Sequence, residues 1–422
     1  MTTRTRFGSR GVTFTAVALA AAIVVAVARG ATYPSTPFDF AHPGAPHDTR
    51  LTPAGGTNDR PLLVVVTQFP DEDQPTTTSR AAIDAKFFGD GGVTDYFRKS
   101  SFGKLTFSRA SESDGVANDG IVHVDMAPTT YQTWAGTTEA TRHQLLLQKA
   151  DPKVDFAVFD RNGDNNVTED ELAIVEVQET RPENFNCAGA RPVAAGTVLD
   201  GKSITGGNSR VAFGASSVNK ITYIHELGHE ALGELDHSYV TGRLDLMGPT
   251  CSSTEWSWDH NAWHKLHLGW VVPTVVVKDG YYDVGEWHAT GQTYLLYDPD
   301  RGTNDYFLVE NRTAKAGSLD EDASDRGLVI WRVEDTRFGQ VAPRTPYVLV
   351  TPSGPQTMAN YGGGSTDAWN PSDPSTPQDA ITAGWADGTP SKLAVRAIGA
   401  AGDTVRAYFD VRGPGVLVDP SA

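Results

Sequence analysis

The sequence predicts an α+β protein in two parts, on three observations. Up to about residue 270, helical and strand patterns alternate without the regular repeat of a doubly wound sheet. From residue 271 onward almost all periodic text is β, cut by Gly, Asp and Pro turns. Within the first part lies one strongly patterned helix, ending near Gly233, that carries His225 and His229 on one face.

The chain begins with Arg4, Arg6 and Arg10, then an apolar run over residues 12–27 and a small-x-small site at Ala26-Val27-Ala28. This reads as a signal peptide over residues 1–30, so a secreted product is expected. The run is slightly short for a membrane span and no second long apolar stretch follows, so no integral membrane segment is expected after its removal. The whole chain carries 35 basic and 52 acidic residues. Residues 1–30 hold four Arg and no acid, which leaves 31 − 52 = −21 for the rest. That charge argues against nucleic acid and anionic membrane as partners. Residues 31–58 are rich in Pro, Gly, Thr and Ala and read as a linker or short pro-segment. They contain no cysteine, which excludes a thiolate latency switch from that segment.

Residues 62–66 form a continuous apolar run, the pattern of a buried central strand, ending at Gln68-Phe69-Pro70. Residues 81–88 and 93–101 read as helices, 104–108 as a strand, and 138–150 as a helix with Leu145 to Leu147 toward the core.

Residues 160–171 have the register of a twelve-residue calcium loop. Oxygen donors Asp160, Asn162, Asp164, Asn166, Thr168 and Glu171 fall at positions 1, 3, 5, 7, 9 and 12, with apolar Val167 at position 8. Position 6 is Asn165 where Gly is usual; Asn tolerates the left-handed backbone needed there. The text that follows, residues 172–177, reads as a strand, so the loop belongs to another fold than the calmodulin type. The plain alternative is an acidic turn with no fixed ion. Asn166-Val167-Thr168 is also a glycosylation sequon, but a glycan there would block the loop.

The stretch from Ile221 to Gly248 is the chemical centre. His225-Glu226-Leu227-Gly228-His229 places two imidazoles one helical turn apart, able to grip one zinc ion. Glu226 is rotated by about 100° from His225 and stands where it can act as general base on a water. Asn219 caps the helix, and Ile221, Ile224, Gly228 and Ala231 or Leu232 recur at helical spacing. The third zinc ligand is Asp236 or His237: His237 is the better donor in general, Asp236 keeps a Gly-x-x-Asp spacing. Met247 is either a methionine floor beneath the site or a core methionine. The bland reading is a surface helix whose histidines fall four apart by chance.

Cys187 and Cys251 fit an oxidising compartment; paired, they close a loop spanning the helix, worth about 4 kcal/mol by chain entropy. The alternative is two buried thiols, and neither has zinc-site spacing. His260, His264 and His267 fall on one stripe among Trp256, Trp258, Trp263 and Trp270. With Asp259 the only close acid, a packing helix outweighs a second metal site. Strands are expected at 274–278, 293–297, 306–310, 328–333, 347–350, 393–398 and 404–411, with a surface loop over 351–384. Asp367, Asp373 and Asp379 in that loop read as solvated acids. No G-x-S-x-G elbow and no Cys/His pair point to a nucleophilic hydrolase.

With these residues in place, the chain resembles the immune inhibitor A family of secreted bacterial metallopeptidases, a metzincin-like group. The resemblance rests on His225 to His229, on Leu232-Gly233-Glu234-Leu235-Asp236 and on Asp245-Leu246-Met247. Flanking blocks agree in order: residues 62–69 with Asp71; Asp95-Tyr96-Phe97 with residues 101–105; Val154-Asp155-Phe156; Lys265 with Leu268-Gly269-Trp270; and residues 306–312 with 327–331. They cover about residues 60–335. The resemblance implies a zincin/metzincin-like catalytic domain with a calcium-type loop over residues 59–270, a C-terminal all-β subdomain over 271–412 and a tail over 413–422. It implies a zinc endopeptidase acting on protein or peptide substrates, with one catalytic zinc and one or more structural calcium ions; Tyr239 is placed to help the oxyanion by position alone. There are three departures. Three residues, Glu230, Ala231 and Leu232, separate His229 from Gly233 where the family has two; position 6 of the loop is Asn165; and Arg332 follows Trp331 where the family often has His. The shifted Gly233 and Asp236 motivate a second reading, a calcium-stabilised exported binding or adhesion protein with a vestigial zinc site. An intact Glu226 argues against it. Oligomeric state is not legible.

Overall fold

Leu62, Val64 and Val66 point to one side of the first sheet, Leu63 and Val65 to the other, and all five are fully buried. A strand with helices on both faces must be apolar at every position, which is why this run is continuous. The computed structural model describes residues 58–71, 79–178, 188–204, 210–232, 242–248, 257–334, 347–352, 354–355, 368–371 and 384–411. The expected signal segment, the linker to residue 57 and the tail lie outside the described residues.

The first part runs β1 (Asn58–Gln68), α1 (Arg80–Phe88), α2 (Val93–Ser100), β2 (Leu105–Arg109), β3 (Ile121–Asp125), α3 (Tyr131–Ala135), α4 (Glu139–Ala150), β4 (Asn166–Val167), β5 (Ala173–Gln178), β6 (Ala188–Arg191), β7 (Val198–Leu199), β8 (Lys202–Ile204), β9 (Val211–Ala215) and α5 (Lys220–Leu232). The main sheet has the order β2-β1-β5-β9-β6, with β3 also on β1. β2 takes the first half of β1 and β3 the second, while β5 lines the other edge. All pairings are parallel except that of β6 with β9. The mixed helix and strand content agrees with the α+β expectation. The parallel pairing departs from the expected lack of βαβ character: α1 and α2 link the parallel strands β1 and β2, and α3 and α4 lie between β3 and β5. The regularity is hidden because the crossovers differ in length and one carries the acidic loop.

Ser79 and Thr138 cap α1 and α4 through their side-chain oxygens. The buried side chains of α4 are His143, Leu146, Leu147 and Ala150, at helical spacing; Leu145 is half-buried. On one face α1, α2 and α5 pack on the sheet through Ile83, Phe87, Phe97, Ile221, Ile224 and Leu227. On the other, Trp134, Leu146, Leu147 and Phe156 cover it.

The first part ends with α6 (Ala262–His267), and the second runs β10 (Thr274–Val275), β11 (Gly280–Gly285), α7 (Trp287–Thr290), β12 (Tyr294–Tyr297), β13 (Asp305–Arg312), β14 (Gly327–Glu334), β15 (Tyr347–Thr351), β16 (Gly354–Pro355), β17 (Ala394–Arg396) and β18 (Thr404–Asp410). A six-stranded sheet, β10-β12-β13-β14-β15-β16, faces a three-stranded sheet, β11-β18-β17. Phe307, Val309, Leu328 and Ile330 from the first meet Val284, Val395, Val405 and Phe409 from the second. The other face of the larger sheet, through Leu308, Val329, Trp331 and Leu349, packs on Trp263 and Leu266 of α6. The second part is therefore β-rich but not wholly β, since α7 interrupts it. One described piece of the expected surface loop, residues 368–370, is buried: Trp369 is 5% exposed and its indole donates to the Val350 carbonyl oxygen at 2.9 Å. Asp367, Asp373 and Asp379 lie outside the described residues. Among the described residues no helix is long and apolar enough to cross a membrane.

Candidate metal centre

α5 starts where its sequence says it should. Asn219 Oδ1 accepts from the backbone N–H of Ile221 at 2.7 Å and of Thr222 at 3.3 Å. The helix is held tight to β9 by Tyr223, whose hydroxyl donates to the carbonyls of Gly214 and Ala215 at 2.9 and 2.8 Å. A Cβ at Gly214 would sit 3.0 Å from the Tyr223 ring, so this close approach needs glycine.

The two motif histidines come together. Their Nε2 atoms lie 3.2 Å apart and their rings are nearly perpendicular, at 88°. His225 and Glu226 are each 6% exposed, and His229 is half-buried. His225 Nδ1 lies 3.0 Å from the carbonyl oxygen of Leu246. A carbonyl only accepts, so Nδ1 carries the proton and Nε2 presents its lone pair toward His229. Either a proton on His229 Nε2 or a shared cation holds two such nitrogens at this distance. Tetrahedral zinc with Zn–N of about 2.0–2.1 Å sets its ligand nitrogens about 3.3 Å apart, so the pair fits zinc. His225, Glu226 and His229 form the single group of three His, Cys, Asp or Glu among the described residues whose ligand atoms all lie within 4.8 Å of one another. Asp236, His237 and Tyr239 lie outside the described residues, as do Gly233, Cys187 and Cys251.

Met247 is fully buried in the same core as α5. Its turn is anchored through Asp245, also fully buried. The Asp245 carboxylate accepts from the Tyr347 hydroxyl at 2.6 Å and from the Asn261 backbone at 3.3 Å. Arg312 donates to the carbonyls of Leu244 and His260, each at 2.9 Å. Sequence reasoning missed Tyr347 and Arg312 as part of this surround. The available signal was an arginine inside strand text, a residue rarely buried unless paired.

His260, His264 and His267 do not converge. His260 precedes α6 and packs on Tyr96 and Trp270, His264 meets Tyr347, and His267 stacks on Trp263 at 4.0 Å. This matches the packing reading. Beneath them, Lys265 and Asp259 are paired at 2.5 Å with both side chains fully buried. Burial works against the Asp259 charge, but Lys265 and Arg312 outweigh it and hold the carboxyl below its ordinary range.

The acidic loop folds around its own backbone. Asp160 Oδ1 accepts from Gly163 N–H at 2.8 Å and Oδ2 from Asn165 N–H at 3.0 Å. Glu171 reaches back to the N–H groups of Arg161 at 3.0 Å and Thr168 at 3.1 Å. Asn165 takes the left-handed conformation with φ 68°, as position 6 requires. One residue went unforeseen: Lys202 donates to Asp160 Oδ2 at 2.8 Å and to Asn165 Oδ1 at 3.0 Å. That hydrogen bond keeps Asp160 below the ordinary carboxylate range. The donor set suits calcium, with a lysine ammonium already at its first ligand.

A cleft of 690 Å³ runs beside the N-terminal half of α5, lined in part by Tyr96, Phe102, Lys220, Ile221, Ile224 and Leu319. The three motif residues do not line it. No family model and no curated protein sequence matches the chain.

Proposed function

We propose that the chain is a secreted zinc-dependent endopeptidase with a metzincin-like catalytic part. The observation that carries this reading is the meeting of His225 and His229 through Nε2 atoms 3.2 Å apart, with Glu226 in the same group. His225, His229 and Asp236, with His237 as the alternative third donor, would hold zinc. When bound, zinc supplies a Lewis acid that polarises the scissile carbonyl and makes water a nucleophile at neutral pH.

The chain's own residues do the rest. Glu226 is a nearly buried carboxylate one residue from His225, so it accepts the proton of the attacking water. It then returns that proton to the leaving amine nitrogen. The Leu246 carbonyl keeps His225 in the tautomer whose Nε2 faces the site. Asp160, Asn162, Asp164, Asn166, Thr168 and Glu171 would hold calcium, which clamps the loop ahead of β5. The substrates are proteins or peptides.

The test is hydrolysis of a denatured protein by the purified chain, beside Glu226→Gln prepared identically, with zinc content measured on both. The expected result is about one zinc per chain in each and loss of roughly 10²-fold or more of the activity in the variant. Zinc at one equivalent with no cleavage by either would favour the binding-protein reading. Equal cleavage by both would remove Glu226 from the mechanism.

A further inference from the structure

The Leu246 carbonyl can orient His225 only if the turn that carries it is itself fixed. That turn, residues 242–248, is bonded from the β-rich second part. Tyr347, at the start of β15, donates its hydroxyl to Asp245 Oδ2 at 2.6 Å. Arg312, at the end of β13, donates to the Leu244 carbonyl at 2.9 Å, and its own charge is met by Asp320 at 2.6 Å and Glu310 at 2.9 Å. All four side chains named in these two tethers besides Glu310 and Asp320, namely Tyr347, Asp245, Arg312 and the Leu244 that carries the carbonyl, are at most 1% exposed. On the other side Trp258 donates its indole N–H to the Asp245 carbonyl at 3.0 Å.

We propose that the C-terminal β-rich part is a working component of the metal centre: Tyr347, through Asp245 and the Leu246 carbonyl, is a positioning residue for His225, with Arg312 bracing the same turn. The relay is continuous. The Tyr347 hydroxyl fixes the Asp245 carboxylate, Asp245 fixes the direction of the next peptide, and the Leu246 oxygen fixes the His225 ring through Nδ1. An imidazole free to rotate binds metal more weakly than one pinned by its second nitrogen. The β-rich part therefore sets the pose of this ligand through the turn that carries Asp245 and Leu246. This inference rests on the zinc reading above.

The test uses the full chain, and Tyr347→Phe removes only the hydroxyl. Zinc affinity is measured by chelator competition, and the cobalt-substituted protein is examined by visible absorption, which reports ligand geometry directly. Tyr294→Phe is the control: it removes a hydroxyl that donates to the Asp283 carbonyl at 3.0 Å, in the same β-rich part but away from the turn. The expected result is about tenfold weaker zinc binding and a shifted cobalt spectrum for Tyr347→Phe, with both unchanged for Tyr294→Phe. Unchanged affinity and spectrum in Tyr347→Phe would overturn the positioning role and leave the zinc reading standing. Equal weakening in both variants would overturn it too, as a general loss of stability. Failure of the unaltered chain to bind zinc at all would remove the zinc reading, and this inference with it.

Discussion

Arg210 and Glu230 form an ion pair of 2.8 Å in which the two side chains are 1% and 0% exposed. Glu230 follows His229 directly and also accepts from the Ile174 backbone at 3.3 Å, so the last turn of α5 is tied to β5 and to the residue just before β9. The Arg60 guanidinium donates to the carbonyl of the next residue, Ala231. Burial pushes the Glu230 carboxyl well above its ordinary range, and Arg210 opposes that shift. Removing the arginine strands a buried acid. Arg210→Met should cost on the order of 3–5 kcal/mol at pH 8. A carboxyl raised in the folded state holds its proton where the unfolded chain has lost it, so stability falls as pH rises toward the folded value. The loss should therefore be smaller at pH 5, where Glu230 is protonated at less expense. Arg210→Met combined with Glu230→Leu should recover most of the stability in urea denaturation. No recovery would mean that the pair is not the cause.

Glu176 gives the clearest pH signature. It is fully buried in β5 with His143 Nε2 3.6 Å away. Burial pushes Glu176 up to about 8 from an ordinary value of 4.5, and pushes His143 down to about 4. A neutral acid thus faces a neutral imidazole. Between pH 4.5 and about 8 the folded chain holds on Glu176 a proton that the unfolded chain has released, so the Glu176 contribution declines across that window; His143, lowered from 6.5 to about 4, works the other way below pH 6.5, and the net decline falls between pH 6.5 and about 8. The full span of the Glu176 contribution corresponds to about 5 kcal/mol. Glu176→Gln should remove most of this slope while leaving the pH 5 stability nearly unchanged. Urea midpoints at pH 5 and pH 8 for both chains decide it; parallel slopes would contradict the assignment.

How far the sequence was legible follows from the range of the interactions involved. Residues 62–66 and the capped helix after Asn219 were readable because local patterning alone specifies them. The parallel pairing of β1 with β5 was not: Leu62 meets Ala173, and no local signal carries a partner that far along the chain. Short strands such as β3 and β9 were passed over for the same reason; they become strands by pairing with distant partners, β3 with β1 and β9 with β5 and β6. At the centre, the spacing of His225 and His229 foretold their meeting, since helical geometry alone dictates it. The Leu246 carbonyl on His225, Tyr347 on Asp245 and Lys202 on Asp160 are tertiary contacts and left no mark on the text. The choice between Asp236 and His237 falls outside the described residues.

The cap of α5 sets how firmly the motif is held at its N-terminal end. Asn219 is 1% exposed, so no water replaces its two bonds if they are removed. Asn219→Ala should cost about 1–2 kcal/mol, at the upper end for a cap. Zinc content should stay at one equivalent, because the histidines lie one and more turns further along. A stability loss accompanied by complete loss of zinc would show that the helix start and the metal centre melt together.

The acidic loop makes opposite predictions for two neighbouring residues. If it binds calcium, the ion must displace the Lys202 ammonium from Asp160 Oδ2, where the two now lie 2.8 Å apart. Calcium at about 100 times its dissociation constant then stabilises the fold by about 2.7 kcal/mol, visible as a rise of several degrees in the thermal midpoint. Asp160→Asn should abolish that rise, since it removes the charge at the first ligand. Lys202→Met should enlarge it at limiting calcium, because a competing positive charge is gone; the affinity gain should be several-fold and should shrink as salt is raised. A plain acidic turn behaves differently. There, Lys202→Met lowers stability by leaving Asp160 without its partner, and added calcium does not restore it. Thermal scans of the three chains with and without calcium separate the two cases, and a Lys202→Met chain that ignores calcium would end the calcium reading.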